Sequence, residues 1–199
     1  MRISVDGRSD DPEVHRRKSV DFARRALEAH GDDPIVLAEA AFALGVLGEN
    51  IGAMIALVDR AVTLNPSFAR GWHLSGTLRT IAGQLDLAIE HCETALRLSP
   101  RSRVSMPTRA MIGAAHLFAQ RFDEAEAQLL LAIQQEPYFA YSYAYLAACY
   151  VYTGRLTEAR EALSRLHAVA PHSSYTSLFR NPEQRKLLED GLRLAACEA

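Results

Sequence analysis

Apolar residues recur at three- and four-residue spacing along most of this chain, in short segments broken by proline, glycine or asparagine, which is the pattern of amphipathic helices. Asp11 can cap a first helix with Pro12 in its first turn; Val20, Phe22, Ala23, Ala26 and Leu27 form its apolar side and Gly31 ends it. The same spacing predicts helices over Ile35–Leu47, Gly52–Leu64, Ala69–Ala82, Leu85–Leu98, Thr108–Gln120, Phe122–Gln135, Phe139–Thr153 and Leu156–Ala170. Ser173–Phe179 reads as a short helix, and Asn181-Pro182-Glu183 opens a last one reaching about Ala196, with Leu187, Leu188, Leu192 and Leu194 on its apolar side. Residues 1–10, polar and poor in apolar side chains, read as a flexible tail. The fold class this predicts is all-α.

The helices come in pairs, and the prolines measure the period. Pro66 to Pro100 is 34 residues, Pro100 to Pro137 is 37 and Pro137 to Pro171 is 34. Within the second pair stand Trp72, Gly76, Ala88, Ala95 and Pro100, and in the third Gly113, Ala125, Ala132 and Pro137 take the same places. The fourth has Ala147, Ala159, Leu166 and Pro171; the first fits with Ala41, Gly48, Ala53 and Ala61 if its turn carries one extra residue. Small residues at fixed places let paired backbones approach, a large aromatic fills the space between them, and a proline stops each second helix. The spacing resembles the tetratricopeptide repeat, a helical hairpin of about 34 residues with the pattern W-x2-L-G-x2-Y, A-x3-F and P. Three positions depart from it: Ser75 stands for Leu, Arg79 for Tyr and Cys92 for Phe.

That resemblance implies a right-handed α-α superhelix of helical hairpins. It divides residues 11–199 into a half repeat at 11–33, repeats at 34–66, 69–102, 106–139 and 140–173, and C-terminal capping helices at 174–197. The longer link from Ser99 to Thr108 is expected to widen the array locally. Because the first unit has only its second helix, the array is expected to be part of a longer protein.

Composition narrows the function. A formal charge of −2 gives no electrostatic footprint for nucleic acid, and no apolar run is long enough to cross a bilayer, so neither partner is expected and a cytoplasmic location is. The basic run Arg16-Arg17-Lys18, flanked by Glu13 and Asp21, reads as a solvated face. Cys92, Cys149 and Cys197 lie far apart, which suggests neither a disulfide framework nor a zinc site. No phosphate-binding, dinucleotide or nucleophile-elbow motif is present. His91 and Cys92 are adjacent and diverge by about 100° on a helix, so they do not share a metal; Glu124 and Glu126, two apart, point to different sides, which argues against a paired-carboxylate site. We expect no catalytic residue, no metal and no cofactor, and therefore no enzyme.

What remains is a surface. In tetratricopeptide arrays the first helices line a concave face that commonly takes a peptide or a partner helix. Carried over by position, that face comprises Ile35, Ala38, Phe42, Gly45 and Val46; Arg70, His73, Thr77, Thr80 and Ile81; Pro107, Ala110, Ala114, Leu117 and Phe118; and Tyr141, Ala144, Ala148, Val151 and Tyr152. The candidate partner-binding residues are Phe42, Arg70, His73, Thr77, Leu117, Phe118, Tyr141 and Tyr152. The same apolar surface could instead pack against a neighbouring domain, a second copy or the chain's own termini. The carboxylate clamp of chaperone-type repeats is absent, because Ala38, Phe42, His73 and Thr77 stand in its places.

Three phrases resemble a narrower group: Arg24-Arg25-Ala26-Leu27 leading to Gly31-Asp32-Asp33-Pro34, Ala88-Ile89-Glu90-His91 leading to Ala95-Leu96-Arg97-Leu98-Ser99-Pro100, and Asn181-Pro182-Glu183 leading to Gly191-Leu192-Arg193. They are similar to the C-terminal repeat regions of bacterial signalling proteins that carry a class III adenylate/guanylate cyclase or a winged-helix domain. The resemblance implies a non-enzymatic interaction scaffold with a protein or peptide partner, or a homodimerising element of such a protein.

Overall fold

The computed structural model describes residues 12–100, 102, 104–171, 175–176 and 178–197. The expected tail at 1–10 lies outside them. Ten helices are described: α1 (Pro12–His30), α2 (Pro34–Leu47), α3 (Ile51–Leu64), α4 (Ala69–Ala82), α5 (Leu85–Leu98), α6 (Ser105–Phe118), α7 (Phe122–Gln135), α8 (Ala140–Tyr152), α9 (Leu156–Val169) and α10 (Pro182–Ala196). No strand occurs among the described residues.

Local chemistry sets the helix ends. Asp33 accepts from the Ile35 and Val36 amides, Asn50 from Ala53 and Asn181 from Glu183, each supplying an acceptor that the first turn lacks. Gly48 and Gly83 close α2 and α4 in the left-handed region, at φ 117° and 80°, where a side chain would be strained. Helix α6 begins three residues before the expected Thr108, because Pro107 falls in its first turn, where a missing N–H costs nothing. Among the described residues 175, 176, 178 and 179 no helix forms, unlike the expectation for Ser173–Phe179.

The elements α2/α3, α4/α5, α6/α7 and α8/α9 pack as hairpins, and each hairpin stacks on the next through α3/α4, α5/α6 and α7/α8. Helix α1 packs on α2, in the place of the second helix of a preceding unit. The α5/α6 junction is as close as the others, so the longer link after Ser99 does not widen the array. First helices α2, α4, α6 and α8 are neighbours in turn and line one face of a right-handed solenoid, which α10 closes by packing on α8 and α9.

Inside the hairpins the small residues act as expected. A methyl on Gly76 would lie 2.9 Å from the Ala88 carbonyl oxygen, and one on Gly113 2.6 Å from Leu129 Cγ, so both sites need glycine for close packing. Two of the three departures from the repeat pattern, Ser75 and Arg79, belong to one connected group. Arg79, only 7% exposed, donates to both Asp59 carboxylate oxygens at 2.9 Å and also to Ser75; the Ser75 hydroxyl is 3.0 Å from His91 Nδ1. His91 in turn meets Trp72 edge-on at 4.8 Å. A polar link between the first and second repeats thus replaces two apolar contacts, and it works because the buried guanidinium is paired.

Cys92 and Cys149 are buried, and burial pushes each thiol up to about 12, whereas Cys197 is exposed. Thiolate is the reactive form. In the native protein a thiol reagent should therefore label Cys197 promptly, with Cys92 and Cys149 following only on unfolding. Prompt labelling of all three would contradict this packing.

Candidate functional site

The concave face is divided by the chain's own C-terminal segment. Phe179 is fully buried, edge-on to Phe118 at 4.6 Å and to Tyr145 at 6.1 Å. Next to it Arg180 donates to the carbonyls of Gly45 (2.7 Å), Val46 (3.1 Å) and Glu49 (3.3 Å) at the end of α2, where Arg16 also donates to Leu47 at 3.0 Å. A helix C-terminus leaves carbonyls unpaired and carries partial negative charge, so two guanidinium groups there are well placed. Gln184 donates to the Thr80 carbonyl at 2.8 Å, near the end of α4, and the Tyr152 hydroxyl donates to the Leu187 carbonyl at 2.8 Å. A methyl on Gly191 would lie 2.9 Å from Ala148 Cα, so α10 and α8 nearly touch backbones. The segment from Phe179 to Gly191 therefore meets the C-terminal ends of all four first helices.

Beyond this strap the concave face holds a pocket of about 290 Å³. Its walls are Phe42 and Val46 from α2, His73 and Thr77 from α4, Pro107, Ala110 and Met111 from α6, and Phe139, Tyr141 and Tyr145 at and within α8; Leu178 comes from the strap. The lining is almost wholly apolar, with a few polar atoms, as in most binding pockets.

Of the eight candidate residues, the structure brings Phe42, His73, Thr77 and Tyr141 together around this pocket. The other four go elsewhere. Arg70 pairs with Glu39 across α4 and α2, with Nη2 to Oε2 at 2.9 Å. Leu117 is fully buried in the core. Phe118 is covered by Phe179, and Tyr152 stacks on Phe122 at 5.7 Å while its hydroxyl holds α10. Met111, Phe139, Tyr145 and Leu178 were not foreseen; Tyr145 is one turn beyond Tyr141, which is the signal that pointed to it, whereas nothing in the repeat period points to Leu178.

Two polar groups matter in the lining. The Thr108 hydroxyl lies 3.0 Å from His73 Nδ1 and also reaches the Val104 carbonyl, so it holds the ring at Nδ1. No hydrogen bond to its Nε2 occurs among the described residues. Burial, reinforced by nearby Arg70 and opposed by Glu39, brings the His73 pKa down to about 4, so the ring is neutral at ordinary pH. The Tyr145 hydroxyl is buried and unpartnered, and burial raises the pKa of its phenol. Among the described residues no carboxylate or cationic side chain lines the pocket, and no group of three or more metal-binding side chains occurs. No described helix is long and apolar enough to cross a membrane.

No protein-family model matches the chain. No curated protein matches it either. Solved structures do. The chain is similar to TTC0263, a thermophilic tetratricopeptide-repeat protein of Thermus thermophilus, at TM-score 0.70 and 21% identity, over 91% of this chain and 92% of that one. It is similar to PilW, a widely conserved type IV pilus biogenesis factor, at TM-score 0.71 and 16% identity, over 92% and 82%. It is also similar to YrrB, a tetratricopeptide-repeat protein with an unusual peptide-binding site, at TM-score 0.58 and 19% identity, over 88% and 91%. Likeness at such low identity carries the architecture alone, and the architecture is that of the tetratricopeptide-repeat solenoid.

Proposed function

We propose that this protein is a non-enzymatic interaction scaffold that takes a peptide or partner segment on its concave face, at the pocket between α2, α4, α6 and α8. The observation that carries the reading is the pocket itself: beside the segment from Phe179 to Gly191, which packs across the C-terminal ends of the first helices, an apolar opening of about 290 Å³ lies next to the exposed Val46. Partner binding concentrates in such desolvated apolar sites with aromatic walls. A fold that lines one face with side chains from four repeats suits an extended ligand. Three phrases of the sequence support placing the scaffold in the regulatory region of a bacterial signalling protein. The same reading puts it in the cytoplasm.

The test places a charge at the pocket mouth. Val46→Glu should abolish capture of the partner from the native cell while leaving helical circular dichroism unchanged. Leu130→Glu, on the exposed outer side of α7, should leave capture intact. Equal capture by both variants would reject the concave site. Self-association is the second reading, and it rests on exposed Leu87, Leu98, Leu130 and Leu131 on the second helices. Light scattering over a range of concentrations separates the two, since a protein that stays monomeric excludes it.

A further inference from the structure

We propose that Phe179 and Arg180 are an internal pseudo-ligand: they occupy in cis the seat that an aromatic-arginine pair of the partner takes when it displaces them. This rests on the scaffold reading above and adds what the partner must carry and what it must compete with. The seat is continuous with the pocket. Tyr145 walls the pocket and also meets the Phe179 ring at 6.1 Å, and Leu178, the residue before Phe179, is itself a wall. A segment lying along the pocket therefore runs into the strap. The strap is held at points rather than along its length. Phe179 is buried, but Arg180 is exposed, and between Arg180 and Gln184 the chain leaves openings of about 590 Å³ beside Ile51 and Ile81 and about 200 Å³ beside Leu85 and Phe118. An exposed guanidinium can exchange its carbonyls for water, so Arg180 is the end from which the strap opens. The chemistry of the occupant follows from the seat. The rings of Phe118 and Tyr145, both edge-on to Phe179, select an aromatic side chain. The carbonyls of Gly45, Val46 and Glu49, at the negative end of α2, select a cation with several donors in a fixed fork, which is arginine rather than lysine. While the strap is seated, the apparent affinity for such a segment is lowered by the fraction of molecules that are open.

The probe is a synthetic peptide of residues 178–186, which carries the pair, labelled for fluorescence anisotropy and titrated with the full chain and with its Arg180→Ala variant. Removing the anchor should tighten peptide binding by at least about tenfold, the combined worth of the three surface hydrogen bonds the strap gives up. Phe179→Ala, which vacates the seat of the ring, should gain at least as much when measured below its thermal transition. The same peptide carrying Phe179→Ala or Arg180→Ala should lose that gain. Equal binding of the probe to the unaltered chain and to both variants would overturn the proposal, and so would a gain that the altered peptides keep. A concentration-dependent dimer of the unaltered chain, with the strap of one copy on the concave face of the other, would overturn the partner source in favour of a second copy. If Val46→Glu abolishes partner capture yet neither strap variant gains, the scaffold stands and the internal occupant falls; a gain in both variants with capture unaffected by Val46→Glu gives the reverse.

Discussion

Replacing Phe179 with alanine is expected to destabilise the protein by about 3–5 kcal/mol, the usual cost of truncating a fully buried phenylalanine. Its ring is at 0% exposure, edge-on to Phe118 and Tyr145, so the lost volume falls where three parts of the chain meet. For a chain of this length each kcal/mol moves the thermal midpoint by about 2–4 °C, so a fall of about 10 °C is expected. The paired helices keep their own neighbours, and helical circular dichroism below the transition should be nearly unchanged. Phe22→Ala, on a side chain 65% exposed on α1, is the control and should shift the midpoint little. Equal, small shifts in both variants would mean that the C-terminal segment does not seal the concave face.

Acidification should weaken the fold through His73. In the folded protein its pKa is about 4, against 6.5 for an unperturbed histidine, so between those values the unfolded chain binds a proton that the folded one refuses. Stability is thus complete above about pH 6.5, falls as pH drops toward 4 and levels off below, with a loss of roughly 3 kcal/mol from this group. Arg70 and Glu39 are the charged groups that act on it, in opposite senses, and their pairing leaves burial as the main cause. Burial also lowers the His91 and His116 pKa values, so both add slope of the same sign. Urea titrations at pH 7.5, 5.5 and 4 would show the loss, and His73→Leu should flatten part of it. A stability that rises on acidification would contradict a neutral, buried His73.

The repeat period was legible because it is a local constraint enforced many times. Helices at Ala69–Ala82, Leu85–Leu98 and Phe122–Gln135 follow from apolar spacing and the prolines alone, and Gly76 and Gly113 mark close approach before any coordinate does. The odd residues Ser75 and Arg79 were not explicable singly, because their partners, Asp59 and His91, sit on other helices. Of the candidate surface assigned by position, half lines the pocket. Phe42, His73, Thr77 and Tyr141 reach the pocket, while Leu117 turns into the core.

The strap was the least legible part. Arg180 reaches Gly45 across 135 positions of sequence, and Gln184 reaches Thr80 across 104. No period or motif encodes such contacts; they depend on the curvature of the whole array. Of the apolar side expected for α10, Leu188 is buried but Leu194 is exposed, with Gln184, Gly191 and Ala195 buried instead; packing of the concave face by the chain's own termini was one alternative, but nothing in the sequence singled out Phe179 as the residue that covers Phe118.

The most direct measurement is photo-crosslinking from p-benzoyl-phenylalanine placed at position 118. The expected product is an intramolecular crosslink to residues 178–188, at every protein concentration. Crosslinks to a second molecule, or to residues outside that segment, would contradict a concave face partly covered by its own chain.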